Sequence, residues 1–404
     1  MPQAEPCRPW KNRLAIVSGG THPLTPSFER EGEAGLALYI HWPFCVSKCP
    51  YCDFNSHVRE TIDQNVWRDA LLADLAHEAA LLPGRTLTSI FFGGGTPSLM
   101  PPATVSALIE AAGRYWRRAD DTEITLEANP SSVEAARFAD LASAGVNRVS
   151  LGLQAFHDDT LAFLGRAHDA HEGLAALDTA QRHFGRVSFD LIYALPSQTE
   201  AQWAADLDRA LSLGTEHLSL YQLTIEPGTR FATLAAQGSL NPLDPDEAAG
   251  LFELTQDRSA AAGLPAYEIS NHAHPGAESR HNLTYWRYAD YAGIGPGAHG
   301  RRGGRATLRH KKPENWLAAI ARNGSGLQSE EMLTRTERAT EAIVMGLRVA
   351  EGIDPSIHAI SEHLDWPAIQ RLQDGGLLIS TADRLALTHA GRCLLDAILR
   401  EIVL

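Results

Sequence analysis

Cys45, Cys49 and Cys52 stand in the stretch YIHWPFCVSKCPYCDF (39–54) and are three of the five cysteines of a 404-residue chain. Intervals of three and two residues let their thiolates converge from one loop on a soft metal centre. Structural zinc takes four protein ligands, usually as two pairs. No second CxxC exists and Cys7 and Cys393 lie far along the chain, which leaves His41 or His57 as a fourth ligand for zinc. Three thiolates alone suit a [4Fe–4S] cluster with one iron open to an exchangeable ligand.

Such a loop needs a scaffold that brings distant side chains to it. Short β-prone runs recur at LALYIH (36–41), TSIFF (88–92), EITLEA (123–128), RVSLGLQ (148–154), RVSFDLIYAL (186–195) and HLSLYQLTI (217–225). Helical patterns such as VWRDALLADLAHEAALL (66–82) and PPATVSALIEAAGRYWR (101–117) separate most of them. Strands alternating with helices predict parallel pairing, here an α/β fold with a partial (β/α)6 TIM-like barrel. The runs end in Tyr39 and His41, Gly93-Gly94-Gly95-Thr96, Glu127, Gln154, Asp190, and Tyr221 with Gln222. One such end merely marks a strand turning into a loop. Six on one rim, with the cysteines at the first, mark a site at the C-terminal face of the barrel.

Apolar residues make up 44% and charged residues 21%, the balance of a globular protein, and the formal net charge is −14. Nucleic acid is therefore not an expected partner, since phosphate binding needs a positive face. No run reaches the length of a membrane span, and the first residues lack the apolar region of a secretion signal. With too few cysteines for a disulfide scaffold, a reducing, cytoplasmic compartment is expected. The texture of the chain divides it into a loosely ordered extension (1–35), the barrel (36–270), an aromatic and basic linker region (271–330) and a winged-helix-like accessory domain (331–404) with a hairpin at GLLISTADRLALTHAG.

CVSKCPYC resembles the CxxxCxxC signature of the radical S-adenosylmethionine (SAM) superfamily, in which SAM chelates the open iron and an electron from the cluster cleaves its sulfonium to an adenosyl radical. FFGGGTPS resembles that superfamily's glycine-rich stretch, where bare backbone approaches the SAM amino group. YIHWPFC, GGGTPSL, LEANP, SLGLQAF, LGRAH, DLIYALP, EPGTRF and YEISNHA together resemble the oxygen-independent coproporphyrinogen III oxidase family and its close relative, the heme chaperone HemW family. The resemblance implies that Tyr39, Gly94, Gly95, Thr96, Glu127, Gln154, Arg166 and Asp190 contact SAM, and that Tyr51 lies beside the cluster. Glu127 and Asp190 suit ribose hydroxyls or an ammonium, and Arg166 a carboxylate. Structural ion pairing is the alternative role for each.

Two features separate the relatives. The oxidase signature continues to a fourth cysteine, where this chain has Phe54. HNLTYW (281–286) resembles the HNxxYW haem-binding motif of the chaperones, which implies His281 on haem iron, with Asn282, Tyr285 and Trp286 beside the porphyrin. The alternative for His281 is a buried imidazole among aromatic core neighbours. The basic run RRGGRATLRHKK (301–312) suits propionates, an acidic partner or a solvated loop, and is assigned no role. The expected function is that of a heme chaperone-like protein with a [4Fe–4S] cluster, SAM and haem, passing haem to an acceptor haemoprotein and served by an electron donor protein. Its rivals are a coproporphyrinogen III oxidase and a zinc-stabilised regulator.

Overall fold

The structure, a computed structural model, describes residues 35–59 and 61–404. The extension expected over 1–35, Gly35 excepted, lies outside the described residues, and with it Cys7.

In Leu36–Trp42 (β1) the period of two separates the faces: Leu36, Leu38, Ile40 and Trp42 are fully buried and pack with Trp67 and Leu71 of the helix Gln64–Leu81. That helix starts where Asp63 accepts hydrogen bonds from the backbone N–H groups of Asn65 and Val66. Tyr39 and His41 point to the other face, and the Tyr39 hydroxyl lies 2.9 Å from His41 Nδ1. Beyond β1, the two-residue strands Phe44–Cys45 (β2) and His57–Val58 (β3) pair and so tie the ends of the cysteine loop together.

Thr86–Gly94 (β4), Arg117–Ala128 (β5), Arg148–Gln154 (β6), Arg186–Tyr193 (β7) and His217–Gln222 (β8) follow β1 as consecutive parallel neighbours. One face is apolar and buried, for example Ile124 and Leu126, Val149 and Leu151, Val187 and Phe189, Leu218 and Leu220. The opposite face is polar: Arg148 donates to Ser188 Oγ at 3.1 Å, Ser150 and Ser188 hydroxyls lie 2.8 Å apart, and Ser150 donates to Asp190 at 3.3 Å. A barrel with a polar interior can hold a polar ligand.

The sheet continues at both ends. Asn271–Ala273 (β9) runs antiparallel to β8, while Tyr291–Ile294 (β10) runs parallel to β1 on its other side. His299–Arg302 (β11), Arg305–Arg309 (β12) and Leu327–Met332 (β13) extend that edge in antiparallel pairing. The result is an open, mixed sheet of eleven strands in which the six expected parallel strands gain a seventh. Residues 271–330, expected to be a linker, thus form both edges of the sheet. The basic run is not a solvated loop either: Arg302 and Arg309 are buried against Glu78 at 2.9 and 2.5 Å, and Arg309 also reaches Asp74. Buried guanidinium groups need such partners, and composition alone does not reveal them.

A second core gathers Ile343, Leu347, Ile369, Leu385 and Ile402 from helices and the hairpin of Leu378–Ser380 (β14) and Leu385–Leu387 (β15), the elements expected after residue 331. Arg287 joins the two cores by a two-pronged bond to Glu351 at 2.6 and 2.8 Å, and the Tyr288 hydroxyl donates to Glu341 at 2.7 Å.

Candidate functional site at the barrel mouth

Each cysteine sulfur has a polar neighbour. Thr96 Oγ1 donates to Cys45 Sγ at 3.4 Å, Arg166 Nη1 to Cys49 Sγ at 3.6 Å, and the Ser56 hydroxyl lies 4.0 Å from Cys52 Sγ. Donors at sulfur favour the thiolate that binds metal. Burial, opposed by the hydrogen bond from Thr96, pushes the Cys45 thiol up, and the other two sulfurs add to the push. Burial likewise raises Cys52. These thiols keep their protons until a metal centre displaces them. His41, the candidate fourth ligand for zinc, is engaged at both nitrogens, by the Tyr39 hydroxyl and by the Asn55 carbonyl at 2.9 Å. Among the described residues no three or more His, Cys, Asp or Glu side chains are grouped to hold a single ion.

The glycines buttress the loop. Gly95 N–H donates to the Trp42 carbonyl at 2.7 Å and Thr96 N–H to the Phe44 carbonyl at 2.8 Å. Gly94 has φ +112°, and a Cβ there would lie 2.6 Å from the His41 ring. The crowding that demands glycine at Gly94 is thus, in this structure, the approach of β4 to β1.

Glu127 accepts a hydrogen bond from Gly94 N–H at 3.2 Å, and neither it nor Asp190 forms an ion pair among the described residues. Burial first, and the nearby Asp190 second, push Glu127 up to about 8. Burial pushes Asp190 up to about 6 against hydrogen bonds from Ser219 and Ser150. Arg148 offsets part of this for both groups, yet Glu127 and Asp190 stay raised, so the pair suits a ligand that brings hydroxyls or positive charge. Arg166 Nη2 donates to Asn129 Oδ1 at 2.6 Å and to the Gly152 carbonyl at 2.9 Å, while its buried Nε has no acceptor. Tyr51 lies beside Cys49 and Arg166, and burial raises its phenol. Gln154 closes β6 at φ 69°, a left-handed conformation uncommon for a residue with a side chain.

HNLTYW forms the helix Arg280–Trp286, capped by Ser279. His281 is 1% exposed, stacks on Phe91 at 4.8 Å, and has both nitrogens engaged: Nδ1 lies 3.1 Å from Ser89 Oγ and Nε2 2.6 Å from the Tyr285 hydroxyl. Burial lowers it to about 3. This is the buried imidazole among aromatic neighbours, so iron ligation by His281 requires Tyr285 to move. Asn282 donates weakly to the Tyr267 hydroxyl at 3.4 Å. Tyr285 and Trp286 do line a cavity of about 640 Å³, together with Tyr39, Gly94, Glu127 and Phe54. A larger cleft of about 780 Å³ flanked by His157 and Asp206 touches this rim only through Gln154.

Residues 39–210 match the Radical SAM superfamily, and residues 333–394 match the HemN C-terminal domain. Heme chaperone HemW of Escherichia coli (strain K12) is 38% identical over 379 residues, 90% of this chain and 97% of that protein. The chain belongs to the radical SAM superfamily, in the HemW family. Radical S-adenosyl methionine domain-containing protein 1, mitochondrial, of Bos taurus is 37% identical over 97% of this chain and 92% of its own. The solved structure of coproporphyrinogen III oxidase from Escherichia coli shares the fold, with a TM-score of 0.77 and 24% identity over 92% of this chain and 91% of its own.

Within this radical SAM fold the rim gathers the sequence-predicted residues Tyr39, Gly94, Glu127 and Arg166 around the cysteine loop, and the donor chemistry fits the two cofactors that the superfamily implies. Three thiols suit the cluster. Glu127, Asp190 and the orphaned Arg166 Nε suit the ribose or ammonium and the carboxylate of SAM. Sequence reasoning passed over Asn129, which joins Thr96 (Nδ2 to Oγ1, 3.1 Å) to Arg166, although it stands in LEANP two residues after Glu127. It also passed over Arg148, a buried cation that lowers both Glu127 and Asp190, and over His299, which lines the cavity. No helix among the described residues is long and apolar enough to cross a membrane.

Proposed function

We propose that the chain carries a [4Fe–4S] cluster on Cys45, Cys49 and Cys52, binds SAM against Glu127, Gln154, Arg166 and Asp190, and holds haem for delivery to an acceptor haemoprotein. The observation that carries the haem reading is one cavity lined both by Tyr39, Gly94 and Glu127 and by Tyr285 and Trp286. Its aromatic wall suits a porphyrin face. When bound, SAM supplies a sulfonium that an electron from the cluster can cleave; an electron donor protein is then a required partner. The chain's own residues orient the nucleotide, keep Glu127 protonated or hydrogen-bonded, and screen the cluster loop from water through Tyr51 and Arg166. The reading calls for a reducing compartment such as the cytoplasm, where free cysteines are kept reduced.

The test is anaerobic reconstitution followed by haem titration, with coproporphyrinogen III offered in parallel. Stoichiometric haem uptake and transfer to an apo-haemoprotein, without coproporphyrinogen conversion, is the expected result. Robust conversion overturns it in favour of the oxidase.

A further inference from the structure

The chain has 31 arginines and four lysines: Lys11, Lys48, Lys311 and Lys312. Lys11 lies outside the described residues, and the other three meet at the cysteine loop. Lys48 directly precedes Cys49 and is near enough to Cys52 and His57 for its charge to act on both. Lys311 and Lys312 end the basic run. The Lys311 carbonyl accepts a hydrogen bond from Asn55 Nδ2 at 2.9 Å, and Lys312 starts the helix Pro313–Asn323, whose Glu314 pairs with Arg59 at 2.5 Å. All three lysines are exposed, and none has an ion pair among the described residues. Arg302 and Arg309 of the same run are buried against Glu78 instead.

The acids on segments 45–59 and 310–314 are Asp53 and Glu314, against Lys48, Arg59, Lys311 and Lys312. Arg59 takes up Glu314, which leaves three free ammonium groups facing Asp53, a local positive excess on a chain of net charge −14. The same loop exposes apolar side chains: Val46 is 70% exposed, Phe54 60% and Val58 47%. Exposed apolar groups interspersed with like charges suit a small interface that forms and parts quickly. Lysine suits it better than arginine, since a compact, hydrated charge attracts at a distance without locking into a two-pronged pair. What lies behind the face decides the partner. Cys45, Cys49 and Cys52 are half-buried on this loop, so a protein seated on it covers the thiols that would hold the cluster. Phe54 and Lys311 also line the cavity, whereas Val46, Lys48, Val58 and Lys312 do not, so the face centres on the cysteines and not on the cavity mouth. Closeness to an iron–sulfur centre serves the passage of an electron.

We propose that Lys48, Lys311 and Lys312, together with Val46, Phe54 and Val58, form the docking face for an acidic one-electron carrier protein that reduces the cluster. The assignment rests on the cluster reading above and gives its electron a way in. The step moves one electron: the reduced carrier is oxidised, the cluster is reduced, and no bond or proton is exchanged.

The experiment mixes the anaerobically reconstituted full chain with a reduced plant-type ferredoxin, an acidic [2Fe–2S] carrier, and follows cluster reduction at low and at high salt. Wild type, Lys48→Glu and the double variant Lys311→Glu/Lys312→Glu are compared, with iron content and melting temperature as controls. In a parallel arm the cluster is reduced by illuminated 5-deazariboflavin, an uncharged small molecule that needs no docking. Calorimetric titration of the cluster-free chain with ferredoxin gives a readout independent of the cluster. The wild-type ferredoxin rate is expected to fall about tenfold from low to high salt. Each variant is expected to be slower than wild type by about tenfold at low salt, to bind ferredoxin more weakly, and to match wild type with deazariboflavin. The double variant lies apart from the cysteines in sequence, so its loss reports docking and not a local effect on the thiols. Variants that match wild type in both ferredoxin rate and titration overturn the docking face and leave the cluster reading standing. Phosphatidylserine vesicles that retain wild type but not the variants, with ferredoxin rates unchanged, overturn it in favour of a lipid surface. A wild type that takes up no iron overturns the cluster reading and this role with it.

Discussion

Asn129 Oδ1 accepts a 2.6 Å hydrogen bond from Arg166 Nη2 while Asn129 Nδ2 donates to Thr96 Oγ1, so one side chain connects the donors at Cys45 and Cys49. The chain of bonds runs from sulfur to sulfur through the residues just after β4 and β5 and the turn after the helix Asp158–Phe163. The spacing of two of the thiols is therefore set by the barrel as well as by their own loop.

Asn129→Ala removes the central member of that chain. The variant should fold, losing about 1–2 kcal/mol of stability for the lost hydrogen bonds. Its SAM affinity should fall about tenfold, an energy of ~1.4 kcal/mol, because Arg166 is no longer steered. Calorimetric titration of the reconstituted protein with SAM measures this, and an unchanged affinity would show that Arg166 is held well enough by Gly152 alone.

Glu127 makes stability depend on pH. Folded, it keeps its proton up to about 8; the same carboxyl has an ordinary value of 4.5. Between those values the folded state binds more protons than the unfolded one, so its stability falls as pH rises through the window. Glu127→Gln carries no such charge. It should exceed wild type in apo stability by roughly 1–3 kcal/mol at pH 8 after allowance for cavity water, with the gain shrinking towards pH 5. Urea denaturation across that range tests the sign: a variant less stable than wild type at pH 8 would contradict it. The same variant should bind SAM more weakly.

Gly94→Ala is expected to disturb the cluster loop through His41. At φ +112° an added methyl is strained, and it would press on the His41 ring that holds the Asn55 carbonyl. A loss above ~1 kcal/mol in stability is expected, together with a reduced iron content after reconstitution, read by iron and sulfide assay. Full iron loading at wild-type stability would show that β4 yields without cost. Cys49→Ala, by contrast, should abolish the cluster absorption with the fold retained.

The legible part of this molecule was the part written in short-range patterns. Alternating strands and helices, the cysteine spacing and the polar strand ends all announced the parallel half of the sheet and its rim, because period and spacing are local properties of a sequence. The edges were not legible. Arg302 and Arg309 look like a solvated basic loop until Glu78, over two hundred residues earlier, is placed against them. His281 suffered from the same blindness: its neighbours Ser89, Phe91 and Tyr39 come from other strands, and they decide whether its nitrogens are free. His299 sits in GAHG with nothing local to mark it, and only the cavity shows its exposure.

His281 is therefore expected to matter first for stability. Removing its ring leaves Ser89 Oγ and the Tyr285 hydroxyl without their shared partner and opens a void against Phe91 and Tyr39. A cavity lined by aromatic rings cannot collapse freely, so the void adds to the lost hydrogen bonds. His281→Ala should cost ~2–4 kcal/mol in urea denaturation of the apo chain. His281→Phe would fill the void but strand the two hydroxyls, and should recover only part of that loss. An apo His281→Ala variant within 1 kcal/mol of wild type, as roughly expected for a surface substitution, would mean that the imidazole is kept for a ligand and contributes little to the fold.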